Sequence, residues 1–361
     1  MGEMIITKIF LMLIVTFIFV AAIMPLVKRL AYHIGALDKP SNKEGHRHIH
    51  KKTTPKLGGI GIFAGFLLGY MIFGEQSTIM NSVLIGGFII IFTGMIDDIK
   101  SIKASTKFIG QLIAACVVTF YGGLLLQDLS AFGLYINFGL FAYPITIFFI
   151  VACVNCINLI DGLDGLAGGI SAIYYLTIGV IAAIQGSIGL DVTLTFIMLG
   201  ATLGFLVHNF HPATIFAGDS GSMFMGFMIA VIALLGFKNV TLTSLIIPIL
   251  ILAIPILDTL FAILRRKLKG ESFSTPDRSH IHHQILKMHF SYVNTVLIIY
   301  LVQGLFAIAS ILYVLKDASL GYFLYAILTI IVLWLVLKTD VIFQHKPSLH
   351  LFSNNDTAEK K

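Results

Sequence analysis

Long apolar segments recur along nearly the whole chain and are separated by shorter polar stretches. Most of them approach the roughly 20 residues that an α-helix needs to cross the hydrocarbon core of a bilayer. Backbone that faces lipid must form its hydrogen bonds within its own segment, so each segment is predicted to be a helix. The pattern predicts an all-α integral membrane protein, a polytopic bundle of about 11 transmembrane helices. The predicted spans cover residues 5–27, 57–74, 81–96, 107–126, 139–158, 166–185, 192–208, 222–237, 243–264, 294–315 and 319–337.

Two segments depart from this helical pattern. Between the fourth and fifth spans, LLQDLSAFGLYINFGLF partly alternates apolar and polar positions and contains two glycines. Such alternation favours a short hairpin, which we place on the outer surface. The chain ends in the polar sequence SNNDTAEKK. We therefore expect one transmembrane domain, residues 1–340, followed by a disordered cytoplasmic tail, residues 341–361.

The composition agrees with a membrane protein. Hydrophobic residues make up 57% of the 361 residues and charged residues 12%, whereas soluble domains carry about 25% charged residues. The first apolar segment has no small-residue cleavage site behind it, so we interpret it as a retained span and not as a signal peptide. All three cysteines lie in apolar segments, which does not indicate a disulfide scaffold.

The basic residues predict the orientation of the chain. When the spans are numbered in order, 21 of the 24 lysines and arginines fall on one side of the membrane. The positive-inside rule assigns that side to the cytoplasm. The chain is therefore predicted to cross the plasma membrane with its N-terminus outside the cell and its C-terminus in the cytoplasm. The net charge of +6 is thus mainly an orientation signal. It gives no support to nucleic-acid binding, because the basic residues are not interleaved with stacking aromatics on a soluble face.

Every polar segment with unusual chemistry falls on this predicted cytoplasmic side. The segment GMIDDIK ends the third span with the adjacent carboxylates of Asp97 and Asp98, and Lys107 follows nine residues after Asp98. A carboxylate pair at the membrane interface can bind a divalent metal or act as a base. A solvated helix end would also be consistent with this sequence.

Two further segments combine carboxylates, amides and glycines. In NCINLIDGLDGLAGG, the residues Asn155, Asn158, Asp161 and Asp164 follow one another at intervals of three, which places them on one face of a helical turn. The glycines allow the backbone to approach a ligand closely. In HNFHPATIFAGDSGS, glycines lie near Asp219 on both sides. This arrangement suits a carboxylate that is directed at a metal ion.

Further candidate side chains are basic groups, imidazoles and one carboxylate within an apolar span. The segment HRHIHKKTTPKLGG places Lys51 ahead of paired glycines, which suits a phosphate-bearing ligand and equally an ordinary basic anchor. His280, His282 and His283 lie within four residues, a spacing open to zinc ligation and to hydrogen bonding with phosphate oxygens. Asp258 lies inside an apolar span. An unpaired carboxylate there costs several kcal/mol, which makes it a functional candidate.

Together these side chains suit magnesium-dependent chemistry on a phosphorylated substrate. Mg²⁺ prefers hard oxygen ligands and usually takes one or two carboxylates plus substrate phosphates. No Walker A sequence is present, which argues against P-loop ATP hydrolysis. A secondary transporter would also have many helices, but it would place its charged site near the membrane midplane in repeated, broken helices. A scaffold protein would not need the acids and the histidines together.

The ordered motifs TTPKLGG, MIDDIKS, NLIDGLDGLAGG, NFHPATIFAGDSGS and DRSHIHH resemble the polyprenyl-phosphate N-acetylhexosamine-1-phosphate transferase family. The resemblance covers about residues 40–290. It implies transfer of a sugar 1-phosphate from a UDP-sugar to a polyprenyl phosphate, with release of UMP. It further implies Mg²⁺ as cofactor, with Mn²⁺ as a substitute, an active-site cleft on the cytoplasmic face, and a homodimer.

The resemblance also implies roles for individual residues. The implied catalytic residues are Asp97, Asp98 and Lys107, and the implied metal ligands are Asp219 and Asp98. Among the substrate-binding residues, Asp161 is the implied contact to the uracil. The implied substrate-binding set is Lys51, Asn158, Asp161, Asp164, Asn209, His280, His282 and His283.

The histidine motif favours one branch of that family. Phospho-N-acetylmuramoyl-pentapeptide transferases carry three consecutive histidines, whereas this chain has HIHH followed by Gln284. The sequence is similar to the branch that uses UDP-N-acetylglucosamine and undecaprenyl phosphate, which we expect as substrates. We expect the product to feed a cell-wall polymer such as teichoic acid, with the muramoyl-pentapeptide reaction as the alternative.

Overall fold

The computed structural model describes residues 2–38, 53–131, 134–187, 189–238, 246–268, 270, 280–315 and 318–338. The predicted tail and Lys51 lie outside these residues. The described part is built mainly of helices: α1 Gly2–Ile34, α2 Gly58–Phe73, α3 Thr78–Ile99, α4 Ala104–Cys116, α5 Ala142–Ile160, α6 Leu166–Ile184, α7 Leu190–Asn209, α8 Gly218–Lys238, α9 Ile246–Ile251, α10 Ala253–Leu268, α11 Ile281–Lys287, α12 Tyr292–Leu315 and α13 Ala318–Lys338. A π-helical turn, Val117–Tyr121, extends α4.

The prediction of an all-α polytopic membrane protein is confirmed. Each predicted apolar segment becomes a helix or a pair of helices, and eight helices are long and apolar enough to cross a membrane. Helix α2 and the apolar part of α13 are shorter than the other candidates. The total of 11 spans stays a prediction.

The ninth predicted segment is divided into α9 and α10. The break falls at Leu252, between Pro248 and Pro255. Proline has no backbone N–H, so Pro255 cannot donate the helical hydrogen bond to the carbonyl of Ile251. The apolar character of the segment predicted its location correctly, whereas the prolines determine its interruption.

The hairpin predicted between the fourth and fifth segments is confirmed. Strand β3, Asp128–Ala131, pairs antiparallel with strand β4, Leu134–Asn137; the two earlier strands of the chain, β1 Leu37–Asp38 and β2 Thr54–Pro55, form a separate pair. The hydroxyl of Tyr135 donates a hydrogen bond of 2.9 Å to the Asp128 carboxylate. This hairpin follows α4 and precedes α5, so it lies at the opposite end of these helices from Lys107 and Asn158.

Helix α8 is the most enclosed of the candidate spans and forms the centre of the bundle. It packs against α2, α3, α5, α6 and α7. Apolar side chains of α8 such as Phe224 and Phe227 are fully buried in the main hydrophobic cluster. Because α8 is surrounded by other helices, the residues at its N-terminus are held between several neighbouring helix ends.

Glycines permit the close packing of α8. A Cβ added to Gly94 of α3 would lie 2.4 Å from the backbone of Ser220, and one added to Gly226 would lie 2.6 Å from the carbonyl oxygen of Cys153. These distances are too short for a non-bonded contact, and the obstructing atoms belong to backbone. The contacts of α8 with α3 and α5 therefore require residues without a side chain at these positions.

We predict that Gly226→Ala destabilises the protein by about 1–3 kcal/mol, because the new methyl group forces α5 and α8 apart. Gly304→Ala is the matched control, since a Cβ at Gly304 meets no atom within 4 Å. The apparent melting temperature of each purified variant in detergent measures the difference. Equal melting temperatures for the two variants would contradict this account of the packing.

Candidate functional site

Polar side chains from four helices meet at one end of the bundle. Asp97 and Asp98 lie in the last turn of α3, Lys107 in the first turns of α4, Asn158 near the end of α5, and Asp219 at the start of α8. Hydrogen bonds connect all five side chains directly or through the backbone of α8. We call this group the acidic cluster. The sequence predicted all five residues as site residues, and the structure brings them together.

Lys107 is shared by two carboxylates of the acidic cluster. Its Nζ atom lies 2.5 Å from Oδ2 of Asp219 and 3.4 Å from Oδ2 of Asp97. Asn158 donates hydrogen bonds from Nδ2 to Oδ1 of Asp219, at 3.0 Å, and to the hydroxyl of Ser222, at 2.9 Å. The side chains of Lys107 and Asp219 are each 24% exposed. Two acids therefore face one lysine in a place that a ligand can reach.

Asp98 has a different environment from its neighbour Asp97. Its Oδ1 accepts a hydrogen bond from the backbone N–H of Asp219 at 2.8 Å, and its Oδ2 accepts from the N–H and the hydroxyl of Ser220, at 3.1 and 2.6 Å. Asp98 is 2% exposed. The unpaired N–H groups at a helix N-terminus favour a negative charge, so Asp98 fixes the first turn of α8.

A glycine makes this contact between Asp98 and α8 possible. Gly218 has a φ of +71°, and a Cβ at this position would lie 2.5 Å from Oδ2 of Asp98. Positive φ is unfavourable for residues with a side chain. Both requirements explain why the acid of α8 is preceded by glycine.

The carboxylates of the acidic cluster fit a divalent cation. Asp97 and Asp219 both contact the ammonium group of Lys107, and the side chains of both acids are partly exposed. Mg²⁺ needs only one or two protein carboxylates when phosphates and water complete its shell. Coordination by Asp98 stays a prediction, and the geometry favours Asp97 as the second acid beside Asp219. In the described part of the chain, no group of three or more His, Cys, Asp or Glu side chains is arranged to hold a metal ion. A divalent cation at the acidic cluster would therefore take its remaining ligands from phosphate and water.

The loop between α5 and α6, residues 161–165, is held by several hydrogen bonds. Gly165, at a φ of +79°, donates its N–H to Oδ1 of Asn209 at 3.0 Å, and its carbonyl accepts from the hydroxyl of Tyr300 at 2.5 Å. Nδ2 of Asn209 donates to the carbonyl of Ile215. The amide oxygen and the amide nitrogen of Asn209 therefore each hold a loop. Contact between Asn209 and a substrate stays a prediction.

Asp164 is also engaged in holding this loop. Its Oδ2 accepts hydrogen bonds from Nδ1 of His211 at 2.9 Å and from the N–H of Ala213 at 3.0 Å. Its backbone N–H donates to the hydroxyl of Tyr292, whose ring stacks on His211 at 4.6 Å between centroids. The side chain of Asp164 is 1% exposed. Its predicted role in substrate binding stays a prediction, whereas its part in joining α5, α7 and α12 is visible.

Asp161 lies at the start of the same loop; the residue as a whole is partly exposed, while its carboxyl group is densely surrounded by protein atoms. Burial raises the pKa of its carboxyl to about 8, and the negative charges of Asp219, Asp98 and Asp164 act in the same direction. Near neutral pH the carboxyl therefore carries a proton in much of the population. A protonated Asp161 can donate a hydrogen bond as well as accept one.

The three predicted histidines form a second group beside the loop. The rings of His280 and His282 are parallel, at 5.7 Å between centroids, and the rings of His282 and His283 lie 4.2 Å apart. His282 is 2% exposed, and its ring nitrogens form no hydrogen bond among the described residues. Burial lowers the pKa of His282, as do His283 and His280, so its ring is neutral. A Cβ on Gly162 would lie 2.4 Å from Nε2 of His282.

Sequence reasoning missed several residues that shape the site. Ser220 and Ser222 belong to the DSGS motif, where the alternation of serine and glycine before a helix was the available signal. Tyr292 and Tyr300 belong to α12, eight residues apart and on one helix face. Tyr300 lies within the predicted apolar segment 294–315 and Tyr292 just before it, so nothing in the sequence pattern assigned them to the loop.

Comparisons with known proteins identify the family of the chain. The family model described as glycosyl transferase family 4 matches residues 80–237, a range that contains the whole acidic cluster. The probable undecaprenyl-phosphate N-acetylglucosaminyl 1-phosphate transferase of Bacillus subtilis (strain 168) is 43% identical over 323 residues, which cover 88% of each chain. The chain belongs to glycosyl transferase family 4.

Two other relatives are less similar to this chain. A decaprenyl-phosphate N-acetylglucosaminephosphotransferase of Mycobacterium tuberculosis (strain CDC 1551 / Oshkosh) is 33% identical, over 78% of this chain and 76% of the relative. An undecaprenyl-phosphate alpha-N-acetylglucosaminyl 1-phosphate transferase of Yersinia pestis is 29% identical, over 83% of each chain. The names of these relatives have a polyprenyl phosphate and N-acetylglucosamine in common.

We predict that Asp98→Asn destabilises the protein by about 1.5–3 kcal/mol, because an amide can accept fewer of the hydrogen bonds that α8 donates. Asp97→Asn is the matched comparison, since Asp97 accepts one backbone N–H, that of Ile102 in the connection between α3 and α4, whereas Asp98 accepts two from the first turn of α8. The apparent melting temperatures of the two variants in detergent give the comparison. A larger loss for Asp97→Asn would show that the assigned environments are wrong.

The raised pKa of Asp161 predicts a pH-dependent effect on stability. The unfolded chain has a pKa near 3.8 and the folded protein a pKa of about 8 for this group. Between these values the unfolded state has lost the proton that the folded state retains, so stability falls as pH rises. Asp161→Asn removes this loss, and its advantage in melting temperature over wild type should grow from about pH 4 to pH 8 and then level off.

Asp128→Asn serves as the control for that measurement, since Asp128 lies in the exposed hairpin. Its melting temperature relative to wild type should change little over the same range. A pH-independent difference between Asp161→Asn and wild type would contradict the raised pKa.

Proposed function

We propose that this protein transfers N-acetylglucosamine 1-phosphate from UDP-N-acetylglucosamine to undecaprenyl phosphate and releases UMP. The observation that carries the proposal is the acidic cluster, in which three carboxylates, a lysine and an amide meet at the end of apolar helices. The names of the relatives supply the sugar and the lipid. A site at the end of the helices can be reached by a lipid from the bilayer and by a water-soluble nucleotide sugar.

In the proposed reaction, an oxygen of undecaprenyl phosphate attacks the β-phosphorus of the UDP-sugar. The bond between this phosphorus and the bridging oxygen breaks, and UMP leaves with that oxygen. The product is N-acetylglucosamine joined to the lipid through a diphosphate. Such phosphoryl transfers depend mainly on positioning and on stabilisation of negative charge.

The environments of the two adjacent acids favour different tasks. Asp97 keeps an 11% exposed side chain and shares Lys107 with Asp219, so it is suited to accept a proton from the acceptor phosphate or to orient it. Asp98 directs both oxygens to α8 and is suited to hold Asp219 in position. Lys107 is suited to neutralise charge on the phosphates.

A divalent cation, Mg²⁺ with Mn²⁺ as a substitute, would be held by Asp219 and Asp97 and would neutralise negative charge on the diphosphate. Asn158 keeps Oδ1 of Asp219 oriented through its hydrogen bond of 3.0 Å. The lysine and the amide thus hold the Asp219 carboxylate in one orientation before a ligand binds.

We further propose that the protein lies in the plasma membrane with the acidic cluster at the cytoplasmic face, where nucleotide sugars are available. Large apolar side chains such as Phe88 and Phe92 of α3 are 60% and 50% exposed, as expected for surfaces that face lipid. The positive-inside distribution assigns the loop of Lys100 and Lys103, which follows Asp97 and Asp98, to the cytoplasm.

The first test is an assay of the purified protein in detergent with undecaprenyl phosphate and a panel of UDP-sugars, with and without EDTA. We expect UMP release with UDP-N-acetylglucosamine, and loss of release with EDTA that returns when Mg²⁺ is added. Asp219→Asn should abolish release while the protein still accumulates in the membrane. Asp128→Asn should have wild-type activity.

Other outcomes of this assay would change the proposal in defined ways. Release only with the UDP-muramoyl-pentapeptide would overturn the proposed donor. Release that persists in EDTA, or in Asp219→Asn, would overturn the metal assignment. No release with any UDP-sugar would overturn the transferase proposal.

A further inference from the structure

Asp258 lies in α10 and belongs to no part of the acidic cluster. Asp258 is fully buried. Its Oδ2 lies 2.8 Å from Nδ1 of His280, and its Oδ1 accepts a hydrogen bond of 2.7 Å from the backbone N–H of Ile281. The acid and its partners are more than 20 residues apart in sequence. A buried carboxylate in an apolar helix is thus paired with the start of α11.

The pairing assigns a tautomer to His280. An ionised carboxylate only accepts hydrogen bonds, so beside an ionised Asp258 the Nδ1 of His280 is the donor. The hydrogen bond at one ring nitrogen determines the state of the other nitrogen. Nε2 of His280 lies on the opposite side of the ring from Asp258, and it makes no hydrogen bond with the part of the chain that the structure describes.

The second contact of Asp258 determines where α11 begins. Ile281 is the first residue of α11, and its N–H would otherwise have no partner within the helix. His282 is the next residue, and its ring is parallel to that of His280 within 5°. Fixing the start of α11 therefore also fixes the direction of His282.

His282 connects this arrangement to the loop of residues 161–165. Its ring packs against Gly162, between the two aspartates that the sequence predicted as substrate contacts. His282 is nearly fully buried, yet neither ring nitrogen has a hydrogen-bond partner among the described residues. Buried polar atoms without partners are uncommon in folded proteins, so these nitrogens indicate a place that a bound ligand completes.

We propose that Asp258 is a positioning residue of the transfer reaction, which acts through His280 to hold the parallel His280–His282 pair against the loop of residues 161–165. The ligand that completes the pair is the phosphate-bearing sugar donor. The proposal rests on the proposed function, since the donor is assigned there. Asp258 itself touches no substrate in this account.

The test is a double-mutant cycle with Asp258→Asn and His280→Ala, in which kcat and KM for UDP-N-acetylglucosamine are measured. An asparagine can keep the hydrogen bond from Ile281, but its NH₂ group then faces Nδ1 of His280 and inverts the tautomer. We expect kcat/KM to fall at least about tenfold in Asp258→Asn and less than about threefold when the same change is made in His280→Ala.

The cycle separates a positioning role from a merely structural one. Equal losses in the two backgrounds, or no loss in either, would overturn the proposal. Asp258→Glu keeps a carboxylate and should retain more activity than Asp258→Asn. If the asparagine variant does not accumulate, the protonation state of Nδ1 of His280 in wild type decides the pairing. Asp128→Asn, the same chemical change in the exposed hairpin, should have wild-type kcat and KM.

A spectroscopic measurement tests the pairing without any assay of activity. Histidine labelled with ¹⁵N in the full chain, reconstituted in nanodiscs, reports which ring nitrogen carries the proton, and His280→Ala identifies the signal of His280. We expect a protonated Nδ1 in wild type and an unprotonated Nδ1 in Asp258→Asn. An unprotonated Nδ1 in wild type would overturn the pairing. If wild type shows the pairing but catalyses no transfer, the proposed function fails and the role of Asp258 fails with it. If wild type catalyses transfer but Asp258→Asn lowers kcat/KM equally with and without His280→Ala, only the role of Asp258 fails.

Discussion

The hydrogen bonds from the first turn of α8 to Asp98 are the interaction on which the site depends. They join the end of α3 to the start of the most enclosed helix in the bundle. A buried carboxylate is costly unless it is hydrogen-bonded, and here two backbone N–H groups and a hydroxyl supply the bonds. These hydrogen bonds offset part of the cost of burying the charge, and they place Asp219 beside Lys107 and Asn158.

A pair of amides supports this arrangement deeper in the bundle. Gln111 lies one turn after Lys107 on α4, and Asn155 lies one turn before Asn158 on α5; Nδ2 of Asn155 donates to Oε1 of Gln111 at 2.6 Å. Polar groups within a membrane must be satisfied inside the protein. The amide pair therefore holds α4 against α5 one helical turn away from Lys107 and Asn158, the residues that these two helices contribute to the acidic cluster. Asp258 and His280 connect α10 to α11 by a similar contact between distant segments.

Much of the fold could be predicted from the sequence, because apolar length and alternation are local signals. The runs of apolar residues predicted the helices, and the partial alternation before α5 predicted the hairpin that pairs Asp128 with Asn137. The division of the ninth segment at Leu252 was missed, although its two prolines were visible. The acidic cluster was predicted by residue type and position, since its members lie where apolar segments begin or end.

The sequence by itself determined that this is a polytopic membrane protein and which chemical groups are available at one end of its helices. The tertiary structure decided what each group contacts. Asp97 and Asp98 are equivalent in a sequence pattern, yet one shares Lys107 and the other holds α8, a helix that begins 120 residues later. Asp164 and Asn209 likewise join loops. The physical reason is that hydropathy is set by neighbouring residues, whereas a hydrogen-bond partner depends on how distant helices pack.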